Sequence, residues 1–184
     1  MESQDYQKMF LSALKYSIEN ISKISLQNFA KNLLQYERIF LMGKGRSGLV
    51  VDMFAMRLIH LGLNAFCIGK PTTPKVTSKD MIVLASGTGE TEGILLAAKQ
   101  AKNVGAQISA FSIYKKSSLS SFADELVTLP QDEKIFKELP TSKVLVGTLF
   151  EQALLITFDS VAGILIDLMG QSYDDLSQRH ANIE

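Results

Sequence analysis

The chain reads as an α/β fold: a three-layer α-β-α sandwich around a five-stranded parallel sheet. Short apolar runs of strand length alternate with segments of helical periodicity along most of the sequence. Two of these runs end in Gly-rich turns, Gly43–Gly48 and Ser86–Thr91, and each turn leads directly into a helical segment. Strands alternating with helices imply a parallel sheet covered on both faces. Ligands of such sheets bind beyond the carboxyl ends of the strands, where both turns lie.

Residues 3–20 and 26–36 carry Leu, Ile and Met at helical spacing, which predicts two amphipathic helices. Arg38-Ile-Phe-Leu-Met42 is a short buried strand. The turn Gly43–Gly48 follows, then a helix over Leu49–Leu61 that Gly62 ends. Asn64–Ile68 is the second strand, and Pro71-Thr72-Thr73-Pro74 a rigid loop. Met81–Ala85 is the third strand, and Thr91–Val104 a helix closed by Gly105. Gln107–Ile113 is the fourth strand; a short helix at Ser118–Phe122 leads to the fifth, Glu125–Leu129. Residues 130–143 are polar and proline-bearing and predict a loop, followed by a long helix over 144–169 and a short one over 173–180. The 184 residues suit one domain. Its N-terminal helices span 3–36, its α/β core 38–129 and its C-terminal helices 144–180.

The 19 basic and 19 acidic residues cancel, and no block of like charge stands out. That balance argues against nucleic acid or an anionic membrane as the main partner, so any anion site is local. The sole cysteine, Cys67, permits no internal disulfide and no cysteine metal cluster, and its apolar neighbours predict a buried strand thiol. The first residues lack the basic and apolar regions of a secretion signal. The apolar stretch Leu145–Met169 is interrupted by Glu151, Asp159 and Asp167, which makes it a poor membrane span. A cytoplasmic location is expected.

The turn Ser86-Gly87-Thr88-Gly89-Glu90-Thr91 carries the strongest chemical signal. Glycines let the backbone approach a ligand, hydroxyls donate hydrogen bonds, and a helix start offers free N–H groups. Ser86, Thr88 and Thr91 serve equally as turn formers and as an N-cap, and a cap site exposes the groups that bind phosphate. Glu90 would repel phosphate if aimed at it, so it either caps the helix or faces the reacting part of a ligand. Gly43-Lys44-Gly45-Arg46-Ser47-Gly48 fits G-x-G-x-x-G, but the acidic residue a dinucleotide site needs is missing where the second strand ends at Ile68-Gly69-Lys70. The turn is then either a tight helix–sheet packing turn or an anion or sugar contact through Arg46 and Ser47, with Lys44 solvated. Glu151 sits among Phe150, Leu154, Leu155 and Phe158. It lies at the mouth of a pocket or on the surface, and spacing alone favours the surface. His60 near a helix end suits packing, and His180 near the terminus suits solvent. Two histidines without a carboxylate at ligand spacing give no support for a metal site.

Together these segments resemble the sugar isomerase (SIS) domain family, and within it the 6-phospho-3-hexuloisomerases. The resemblance rests on Gly43-x-Gly45-Arg46-Ser47-Gly48-Leu49-Val50, Phe54-Ala55-Met56-Arg57-Leu58-x-His60-Leu61-Gly62, Thr72-Thr73-Pro74, Ser86–Thr91, Gly147-Thr148-Leu149-Phe150-Glu151-Gln152 and Arg179-His180-Ala181-Asn182-Ile183-Glu184. It runs in order over nearly the whole chain. Two positions depart from the family: Lys44, where a small residue is usual, and Leu145-Val146, where Gln-Pro-Met is.

The resemblance implies a flavodoxin-like SIS fold and a homodimer or homotetramer, with a sugar phosphate as substrate and no cofactor or metal. It implies interconversion of D-arabino-3-hexulose 6-phosphate and D-fructose 6-phosphate through an enediol(ate), in the ribulose monophosphate pathway. Glu151 or Glu90 is then the base, Arg46 stabilises the enediolate, and His180, acting in its own or a neighbouring subunit, shuttles a proton or polarises the carbonyl. Gly45, Ser47, Ser86, Gly87, Thr88 and Thr91 hold the phosphate end, and His60 becomes a further substrate contact. The stripe on the first helix and the long helix offer surface to bury between subunits. An arabinose 5-phosphate type isomerase, a non-catalytic sugar-phosphate sensor and a nucleotide-binding module are the competing readings.

Overall fold

The computed structural model describes residues 3–131 and 148–183. Helices α1 (Ser3–Glu19) and α2 (Lys23–Leu33) precede β1 (Arg38–Gly43), α3 (Gly45–His60), β2 (Asn64–Cys67) and β3 (Met81–Ala85). Then come α4 (Glu92–Val104), β4 (Gln107–Ser112), α5 (Ser118–Phe122), β5 (Glu125–Thr128), α6 (Thr148–Met169) and α7 (Tyr173–Ser177). The predicted loop over 130–143 and the predicted start of the long helix fall almost wholly outside the described residues, as does Leu145-Val146.

Four parallel pairings build one five-stranded sheet in the order β2-β1-β3-β4-β5. The order reverses between β1 and β3, which makes the carboxyl ends of those two strands the crevice where such sheets bind ligands. Strand residues alternate between the two faces, as a period of two demands. Ile39, Leu41, Met81 and Val83 pack beneath α2, α3 and α6, while Phe40, Ile82, Leu84 and Ile108 pack beneath α4 and α5.

Three boundaries differ from the sequence reading. Helix α3 begins at Gly45, so most of the predicted Gly-rich turn is the first helical turn itself. Helix α2 begins at Lys23, because the Ser22 hydroxyl accepts the N–H of Ser25 and caps it, and it ends at Leu33. Helix α7 ends at Ser177, and the residues beyond it form a strap.

Helix α6 is long and apolar enough to cross a membrane by length and composition, yet it is the central core helix. Phe150, Leu154, Phe158, Val161 and Leu165 are buried along it. Ala13 and Leu14 of α1 join the same core. The stripes on α1 and α6 are thus largely used in the chain's own core. The exposed apolar stripe is instead on α3, at Leu49, Met53, Met56 and Ile59.

At the amino end of the sheet, Arg38 donates two hydrogen bonds, of 2.9 and 2.7 Å, to the buried Asp80 carboxylate. The Thr77 N–H and hydroxyl donate to the same group. Burial pushes the Asp80 carboxyl up, but the hydrogen bonds from Arg38 and Thr77 outweigh it, and the net shift is downward. A depressed carboxylate pKa contributes stability that is present above the unfolded value of about 3.9 and is lost as pH falls through the folded value. The urea midpoint is therefore expected to fall on acidification below about pH 4, and Asp80→Asn to lower it at pH 7 and flatten that acid limb.

Candidate active site

Gly43 of β1 pairs with Ala85 of β3 in the sheet register, so the turns that follow them, at Lys44 and Ser86, lie side by side. The first turn closes tightly: a Cβ on Gly43 would lie 2.7 Å from the Ser47 carbonyl oxygen. In the second turn the Ser86 hydroxyl is 2.9 Å from the Thr91 hydroxyl and accepts the Gly89 N–H. Gly89 has φ +71°, and a Cβ there would lie 2.3 Å from the Ser117 hydroxyl, so only glycine fits. The Thr88 hydroxyl accepts the Glu90 N–H.

Thr91 occupies the N-cap of α4, as the sequence predicts, but its hydroxyl makes no capping bond; Lys44 at the N-cap of α3 makes none either. Two helices of 16 and 13 residues therefore begin at neighbouring strand ends with no side-chain cap on their first N–H groups. Such starts favour an anion.

Helix α6 lowers a carboxylate onto this crevice. Phe150 packs against Gly87, where a Cβ would lie 3.2 Å from its ring. The next residue, Glu151, is buried, contrary to the surface position that spacing alone favours. It accepts a charge-assisted hydrogen bond from Arg46 Nε, across 105 residues of sequence. The Glu151 side chain is 9% exposed and that of Arg46 59%, so the pair has an inner carboxylate and an outer, solvent-facing guanidinium. Ser47, in the same turn as Arg46, is also buried.

Glu90 takes a different course. Its carboxylate accepts the Ser118 N–H at 2.7 Å, so it caps α5 rather than α4. The Ser118 hydroxyl and N–H hold its carboxyl below the usual range. Of the two candidate bases, Glu151 is the one paired with Arg46.

The histidines are elsewhere. His60 ends α3, whose start bears Arg46. Fourteen residues of helix separate them by about 21 Å. His60 is buried, and burial, followed by the His180 and Arg57 charges, pushes its pKa down, which keeps it neutral near pH 7. The His180 ring lies 4.8 Å from the His60 ring, centroid to centroid. Arg179 Nη1 donates to the His60 carbonyl and to Gln171 Oε1, while Gln171 Nε2 donates to the Leu61 carbonyl. The strap thus satisfies the last carbonyls of α3 and holds His180 at that end of the helix, away from Glu151 of the same chain. Within one chain, local helix geometry sets His60 at the end of α3 opposite to Arg46.

Cys67 is half-buried rather than buried. Burial, reinforced by Asp52, pushes its thiol up to about 12, which leaves it unreactive. Among the described residues, no three His, Cys, Asp or Glu side chains converge as metal ligands.

Sequence reasoning missed two features: the exposed stripe on α3 and the path of Lys44 across Gly93. The first was available as apolar residues at spacings of four, three and three along α3. The second depends on strand order and has no local signal.

The SIS domain family model matches residues 32–156. A 3-hexulose-6-phosphate isomerase of Mycobacterium gastri is 39% identical over 155 residues, covering 84% of this chain and 78% of that protein. Another from Bacillus subtilis (strain 168) is 33% identical, with 100% of both chains covered. Among solved structures, a hypothetical protein from Methanococcus jannaschii, described as inferring a function of 3-hexulose-6-phosphate isomerase, superposes with a TM-score of 0.84. That match is 29% identical and covers 95% of this chain and 98% of the other. With its sheet order, its paired strand-end turns and these relatives, the chain belongs to the SIS domain family.

Proposed function

We propose that this chain is a cytoplasmic isomerase that interconverts D-arabino-3-hexulose 6-phosphate and D-fructose 6-phosphate. The observation that carries the reading is the buried Glu151 carboxylate, held by Arg46 beside two uncapped helix starts. The names of the relatives at 33% identity and above supply the substrate. The helix starts, Gly45, Ser47, Gly87 and the Ser86, Thr88 and Thr91 hydroxyls take the phosphate and orient the other end of the sugar toward Glu151. Glu151 removes the C2 proton of the 3-ketose. The C2–H electron pair forms the C2–C3 double bond, and the C3 carbonyl becomes an enediolate oxygen. Arg46 stabilises that charge. The proton returns from Glu151 to C3, while the O2 proton passes to O3 as the C2 carbonyl forms. A synthase-coupled assay tests the reaction: the 3-hexulose phosphate is generated from formaldehyde and ribulose 5-phosphate, and fructose 6-phosphate is followed with a chelator present. Turnover of sugar phosphate is the expected result, and its absence overturns the substrate assignment.

The O2-to-O3 transfer is assigned to His180 of a second subunit. Antiparallel packing of two α3 helices through Leu49, Met53, Met56 and Ile59 would bury the exposed stripe. A two-fold axis through that stripe sets the His60 end of one helix against the Arg46 end of the other, and His60 becomes a substrate contact in the partner's site. Mixing inactive Glu151→Gln and His180→Ala subunits after exchange is then expected to restore about a quarter of wild-type activity, since half of randomly formed dimers carry one intact site. Mixtures that stay inactive although subunits exchange would overturn the assignment of His180 to the partner's site.

A further inference from the structure

Lys44 is the N-cap of α3, yet its side chain leaves that helix and crosses to the next strand end. Its Cε lies 3.0 Å, and its Nζ 3.9 Å, from where a Cβ on Gly93 would stand. Gly93 is in the first turn of α4, two residues after the Thr91 N-cap. The ammonium is therefore parked at the positive end of a helix, on a chain rooted at the positive start of another. A cation gains nothing from either helix dipole there. Among the described residues no anionic side chain compensates it. Among the described residues the Lys44 ammonium has no ion pair and no hydrogen bond. Glu90 is turned to Ser118, Glu151 is held by Arg46, and Glu92 forms no ion pair with it. An exposed lysine free to reach water instead lies over a glycine whose missing side chain makes room for it.

We propose that Lys44 is a phosphate ligand of the substrate, bridging the two strand-end turns across Gly93. An anion between the turns satisfies both helix starts and the ammonium at once. The assignment rests on the sugar-phosphate reading and separates the labour of the crevice. Arg46 and Glu151 face the reacting carbons, and Lys44 with the Ser86–Thr91 turn holds the charged end. Lys44 then acts on binding rather than on proton transfer.

Two measurements on the full chain test this. In the coupled assay, Lys44→Ser is expected to raise KM about tenfold while kcat stays within about threefold, and Lys44→Arg to recover most of the loss. Thermal protection by inorganic phosphate needs no turnover, and Lys44→Ser is expected to shift its half-maximal concentration upward by about the same factor. Gly93→Ala puts a methyl group where Lys44 passes. It is expected to raise KM in the wild-type background and to have no further effect beside Lys44→Ser. Lys44→Ser proteins whose KM and phosphate protection match wild type would overturn the proposal. An equal Gly93→Ala effect in both backgrounds would overturn the bridging geometry. A wild-type protein that turns over no hexulose phosphate, but whose phosphate protection still depends on Lys44, keeps the anion ligand and rejects only the substrate reading.

Discussion

Replacing Glu151 with glutamine is expected to lower kcat about 10³-fold, within the range that positioned proton transfer contributes. The amide keeps the size of the side chain and can still accept the Arg46 N–H, but it cannot take the C2 proton. Substrate is held mainly through its phosphate at the strand-end turns, so KM should move by less than about fivefold. The matched control is Glu90→Gln. That carboxylate accepts the Ser118 N–H and so caps α5 instead of facing Arg46. It should lose a modest amount of stability and keep most of its kcat. Steady-state kinetics on both variants decides between them. If Glu90→Gln loses turnover and Glu151→Gln keeps it, the base is assigned to the wrong carboxylate.

The largest stability loss is expected from Phe158→Ala. Phe158 is 1% exposed on α6. It stacks on Phe54 of α3 at 4.1 Å with the rings 6° apart, and meets Phe111 of β4 edge-on at 4.9 Å. Phe111 in turn meets Phe29 of α2 edge-on at 4.9 Å. One ring thus ties two helices to the sheet. Truncating a fully buried phenylalanine costs about 3–5 kcal/mol, the lost transfer energy plus the cavity left behind. For a domain of this size that is about 10 °C in Tm. Phe158→Leu, which refills most of the volume, should recover more than half of the loss. The same substitution also bears on the site, because α6 carries Glu151 two turns earlier. A loosened α6 should raise the temperature sensitivity of kcat before the protein unfolds. Calorimetry and activity measured over the same temperature range check both effects.

Much of this molecule was legible in the residue order. All five strands and the helices among the described residues follow from periodicity and from turn chemistry, which are local. Gly105 closes α4 in the left-handed conformation, with φ 75°, as its place after Val104 predicts. The paired turns at 43–48 and 86–91 were legible as strand-to-helix junctions, and a parallel sheet puts every such junction at one end. The departures at helix boundaries are of the same local kind: Ser22 caps α2 earlier than the apolar pattern alone implies.

What a side chain faces was decided by the tertiary structure. Glu151 and Arg46 are 105 residues apart, and they meet because α3 and α6 pack on the same face of the sheet with their starts together. No local pattern encodes that, and its own neighbours left the carboxylate free to face solvent. Glu90 lies in the strongest motif of the chain, yet it is drawn to the start of α5, because Ser118, 28 positions further on, returns to the same strand end. The histidines look in sequence like scattered single residues. The strap brings their rings together at the far end of α3, and rigid helix length keeps them from their own Glu151. The sequence by itself determined the elements, the order of the turns and the family. Sheet order and helix packing alone decided which charges meet, because those contacts join residues whose separation along the chain has no period.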